Sequence, residues 1–111
     1  MSANTFTDGI TVRIFVDEDD RIGDEPSHVA LIMFLKNHGV AGVTAFRGLE
    51  GFGTHHTLHA ATPFAWRPNL PIVIETVGEE ALLLPLLDQL REMMNKGLIT
   101  LSPVRFLQVS R

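Results

Sequence analysis

Residues 10–17 read ITVRIFVD, and their alternation decides the fold. Ile10, Val12, Ile14 and Val16 take one face of an extended chain, while Thr11, Arg13, Phe15 and Asp17 take the other. Successive side chains of a strand point to opposite sides, so this is a strand half buried against a core. Upstream, residues 1–9 read as a flexible arm ending at Asp8-Gly9. Downstream, EDDRIGDE (18–25) is a polar loop.

Pro26 suits the first turn of a helix, and a helix is expected over 26–38. It carries Val29, Ile32, Met33, Leu35 and Lys36 on one side and Leu31, Phe34 and His38 on another. So broad an apolar arc suggests two covered surfaces, one against a sheet and one against a neighbour. Gly39 ends the helix. GVTAFRG (42–48) is a second strand and PIVIETV (71–77) a third, with proline allowed at the first position. Between them lies a long connection, 48–70, holding Gly48, Gly51, Gly53, Pro63 and Pro68. A connection of this length in a small domain is usually functional or mobile. Parts of it, such as HTLHAA, can extend the flanking strands into a ribbon. A second helix runs from about Glu79 to Met94, with Leu82, Leu83, Leu86, Leu87, Leu90, Met93 and Met94 at helical spacing. Pro85 must lie near its start or kink it. LIT (98–100) reads as a short strand, and VRFLQV (104–109) as the last strand after a break at Ser102-Pro103.

The order β-α-β-β-α-β predicts an α+β, ferredoxin-like split βαβ domain over 10–111: an antiparallel sheet with both helices on one face. The other face is left half naked, and burial against further copies is the natural solution. Composition agrees. The chain has 111 residues, 45% of them hydrophobic and 20% charged. That is apolar for one small domain. With net charge -4 and no run of Lys or Arg, a nucleic-acid footprint is missing. Zero cysteines exclude disulfides and thiolate chemistry. No signal-peptide pattern or membrane-length apolar run is present, so a soluble, cytoplasmic protein that is not membrane-inserted is expected.

The segment VAGVTAFRGLEGFG followed by LPIVIETV, with GLIT near the end, resembles a PII-like family of small prokaryotic proteins of unknown function. The matches are Ala41-Gly42, Arg47-Gly48, Gly51-Phe52-Gly53, Leu58-His59, Leu70-Pro71 and Gly97-Leu98-Ile99-Thr100, with Glu18 and Pro26 also in place. More distantly the chain is similar to the PII signalling proteins. That resemblance implies a PII-like homotrimer with adenine nucleotide as effector in clefts between subunits. It also implies a loop that reports to a regulated protein partner, such as a membrane transporter. Three departures stand out. Thr54-His55 replaces the Arg-Gln that follows Gly-Phe-Gly in PII. Only NKGLITLSPV stands where PII has a second glycine-rich segment. The chain has no tyrosine to modify.

RGLEGFGTHHTLH (47–59) is the candidate chemistry. Glycines let successive backbone N–H groups converge on an anion, and Gly51 and Gly53 suit this. The same glycines also serve a bulge or a tight turn. Gly48 lets another backbone come close. Arg47 offers a planar fork to phosphate oxygens. Phe52 either lies under an adenine ring or staples the loop to the core. His59 can hydrogen-bond a phosphate or a neighbouring subunit. The acidic run DEDD (17–20), with Arg21, can hold Mg²⁺ or a ribose hydroxyl but reads more simply as a solvated loop, with Glu18 kept as a site residue on the family resemblance. An alternative is a metal site on His55, His56 and His59, since imidazoles hold Zn(II), Ni(II) or Cu(II). A third possibility is a ligand-free interaction module. The sequence carries no hydrolase triad spacing, zincin motif or Walker loop.

Overall fold

The computed structural model describes residues 5–51, 59–60 and 69–110. Four long elements of sheet are β1 (Thr7–Asp17), β4 (Thr44–Arg47), β7 (Pro71–Gly78) and β8 (Leu98–Phe106), and they pair antiparallel in the order β4-β7-β1-β8. Helices α1 (Ser27–Asn37) and α2 (Glu80–Met93) each connect two strands that have another strand between them. That is the split βαβ arrangement expected from the element order.

The alternation in β1 is realised: Ile10, Val12, Ile14 and Val16 are all buried. They form one core with Ile72 and Ile74 of β7, Leu31 and Leu35 of α1, and Leu83, Leu86 and Leu90 of α2. Both helices therefore lie on one face of the sheet. Thr76, also buried on that face, donates its hydroxyl to the Gly42 carbonyl at 2.6 Å, which ties the α1–β4 connection to β7.

The opposite face carries Phe15, Val77, Phe46 and Leu98, all exposed, around an Arg13–Glu75 ion pair at 3.0 Å. Arg13 and Glu75 are direct cross-strand partners. Thr11 is buried on this face.

Several expected boundaries shift. β1 starts at Thr7, because Thr7, Asp8 and Gly9 pair with Phe106, Arg105 and Val104. LIT and VRF belong to one unbroken strand, and Leu107–Val109 lie beyond its end. Proline lacks a backbone N–H, but β8 is a sheet edge, where Pro103 can turn its nitrogen to solvent. In the polar loop 18–25 a small hairpin forms, β2 (Arg21–Ile22) with β3 (Glu25–Pro26), turning at Gly23 with φ 61°. The sheet-facing side of α1 is Ser27, Ala30, Leu31 and Leu35, so Leu35 parts company with Val29 and Met33, which are exposed. Helix α2 runs through Pro85, which occupies its second turn. The ribbon is also present: β5 (Glu50–Gly51) pairs antiparallel with β6 (His59–Ala60).

Candidate functional site at the base of the 48–70 connection

The site begins with the way β4 ends. Arg47 is the last residue of β4 and pairs with Ile72. The next residue, Gly48, donates its N–H to the Pro71 carbonyl at 2.7 Å. A Cβ on Gly48 would lie 2.7 Å from Pro71 Cγ, so only glycine permits this close approach. Glu50 and Gly51 then start the ribbon, with Gly51 opposite His59.

A second strand end meets this one. Residues 17–20, starting from the last residue of β1, form a tight turn. The Asp20 N–H donates to the Asp17 carbonyl at 3.0 Å, and the Asp17 N–H donates to Asp20 Oδ2 at 2.9 Å. Such local side-chain capping is what aspartate does in turns. The turn holds four other segments. The Glu18 carboxylate accepts from Arg47 Nη2. The Glu18 N–H donates to the Leu70 carbonyl at 2.9 Å, and the Asp19 N–H to Asn69 Oδ1 at 2.9 Å. The Asp20 carbonyl accepts the Ser27 N–H at 2.7 Å, anchoring the start of α1. Asp20 and Asp17 receive Lys96 Nζ at 3.1 and 3.9 Å. Both ends of the long connection thus rest on one turn: the entry through Arg47, the exit through Asn69 and Leu70.

Exposure separates the members of this cluster. The Asp20 side chain is only 9% exposed and the Glu18 side chain 21%, whereas Arg47 is 60% exposed. Arg47 has five N–H donors, so the contact with Glu18 leaves most of the guanidinium facing outward. Lys96 stands on the short link from α2 to β8. Next to it, Gly97 takes φ 127°, and a Cβ there would lie 2.6 Å from the Phe15 carbonyl. Lys96 also borders a groove of about 470 Å³ between α2 and the outer edge of β8, lined in part by Leu87, Arg91, Met94 and Leu101.

The structure therefore brings Arg47, Gly48 and Glu18 together and carries Gly51 and His59 into the adjoining ribbon. Phe52, Gly53, His55 and His56 lie outside the described residues, and with them most of the metal alternative. Among the described residues no group of three potential ligands suits a metal ion. The acidic run DEDD is a structural turn, with Asp20 as its keystone. Lys96 was not among the expected site residues. Its signal was the NKG punctuation before the last strand, which places one cation where α2 stops.

Residues 9–106 match the DUF190 family, described as uncharacterized ACR, COG1993. The chain belongs to the DUF190 family. A UPF0166 protein of Aquifex aeolicus is 33% identical to this DUF190 chain over 93 residues, 84% of it and 88% of the relative. The UPF0166 protein of Methanocaldococcus jannaschii is 29% identical over 92 residues, 82% and 84% of the two chains. Among solved structures, CPII of Thiomonas intermedia K12, a nitrogen regulatory PII-like protein bound to ADP, AMP and bicarbonate, superposes with a TM-score of 0.68 at 18% identity. It covers 94% of this chain and 92% of CPII. A putative PII-like signaling protein of Thermus thermophilus gives 0.67 at 17% identity and 92% of both chains. The DUF190 chain has the ferredoxin-like fold of PII-like proteins. Among the described residues no helix is long and apolar enough to cross a membrane.

Proposed function

We propose that this DUF190 chain is a PII-like regulatory protein that assembles as a homotrimer. It binds a small anionic ligand, an adenine nucleotide, in clefts between subunits at the base of the 48–70 connection. The observation that carries this reading is Arg47. It is a largely exposed guanidinium, fixed at a strand end beside a glycine whose added Cβ would crowd Pro71, where both ends of the connection meet. An arginine fork so placed suits phosphate oxygens. We assign the amides of Gly51 and Gly53 to the anion cradle, Phe52 and His59 follow in the same stretch of sequence, and Glu18 contacts the arginine. The ADP and AMP bound by the fold neighbour CPII support the choice of adenine nucleotide. Occupancy then changes the presentation of the connection to a regulated protein partner.

A thermal-shift panel of AMP, ADP, ATP and cyclic nucleotides tests the reading. At about a hundredfold excess over Kd a ligand adds about 2.7 kcal/mol of stability. No shift with any of them at millimolar concentration overturns it. Arg47→Ala should weaken the effective nucleotide by about 1.5–3 kcal/mol while leaving the unliganded fold intact, since it removes charge-assisted hydrogen bonds. A variant that instead fails to assemble would place Arg47 in an interface.

A further inference from the structure

The cations at the loop base are not waiting empty. Arg47 is in contact with the Glu18 carboxylate, and Lys96 is held by Asp20 and Asp17. All three carboxylates belong to one four-residue turn, which also contains Asp19. Within one chain the Arg47 guanidinium is therefore already engaged by a carboxylate of this turn.

We propose that Glu18 is the internal anion of this site and competes with the ligand for Arg47. A ligand's phosphate binds Arg47 by displacing the Glu18 carboxylate. This inference rests on the nucleotide-binding reading and sharpens it. The displaced carboxylate stays close, because the Glu18 backbone remains bonded to Leu70 and the turn remains locked by Asp20 and Lys96. It therefore remains a competitor for Arg47 at high effective concentration, and its charge weakens the binding of every phosphate ligand there.

The test is calorimetric binding of AMP, ADP and ATP to wild type and Glu18→Gln at fixed low ionic strength without Mg²⁺. Glutamine keeps the length and one acceptor oxygen and loses the charge. AMP should bind Glu18→Gln about tenfold more tightly, the order of one charge-assisted contact. The gain should appear for ADP and ATP as well and should vanish in Glu18→Gln/Arg47→Gln. Unchanged or weaker binding in Glu18→Gln would overturn the proposal and leave nucleotide binding standing. If no nucleotide binds either protein, the function reading fails and pyrophosphate decides the inference. A thermal stabilisation gained only by Glu18→Gln supports the self-occupied site, and no gain overturns it. Should Glu18→Gln not fold, Glu18→Asp withdraws the charge by one methylene and is expected to show a smaller gain of the same sign. Absence of that gain counts against the proposal equally.

Discussion

The two faces of the sheet are made by the same strands and end in opposite states. On the helix side, Ile14, Ile74 and Leu31 are fully buried. On the other face of the sheet, Phe15, Val77 and Phe46 stand 36–51% exposed around a charged pair. Period-two alternation puts apolar residues on both faces, but the two helices among the described residues cover only one of them. The helix face is completed within one chain. The other face stays open within one chain, and in the proposed trimer it is covered by further copies.

That contrast can be broken. Ile74→Ala leaves a cavity in the closed face and should cost about 2–5 kcal/mol, read from the midpoint of urea unfolding. Phe46→Asp on the open face should change the folding of a single chain far less, by about 1 kcal/mol or below. It should lower the mass in sedimentation equilibrium to one chain while the far-ultraviolet dichroism stays native. A stable monomer in the unmutated protein would remove the proposed clefts altogether. The smallest effect sharpens the comparison. Arg13→Gln breaks a partly exposed ion pair, so it should cost less than about 1 kcal/mol if the open face remains in water. If copies bury that pair, Glu75 is left uncompensated and the loss rises to about 3–5 kcal/mol.

Legibility followed the range of the forces involved. β1 and β7 were readable because alternation is local, and α2 was readable because its leucines repeat at helical spacing and its ends carry breakers. The hairpin of β2 and β3 was not, since two-residue strands have no period to detect. Neither was the passage of β8 through Pro103, because an edge position becomes known only when the sheet is assembled. The side α1 turns inward was ambiguous for another reason: a helix apolar almost all round presents no single stripe. At the site, Arg47 and Glu18 were each picked out by resemblance. That they touch, and that Lys96 closes the same turn from the far end of the chain, required the fold.

From the sequence alone came the order of elements, the sealed face of the central strands and the glycine-rich exit at Arg47. Each rests on steric preferences and side-chain periods acting over a few residues. Tertiary structure alone decided which charges meet, how far the edge strand runs and which hydrophobic residues one chain leaves uncovered. Those outcomes depend on pairings between segments distant in sequence, whose energies no local window contains.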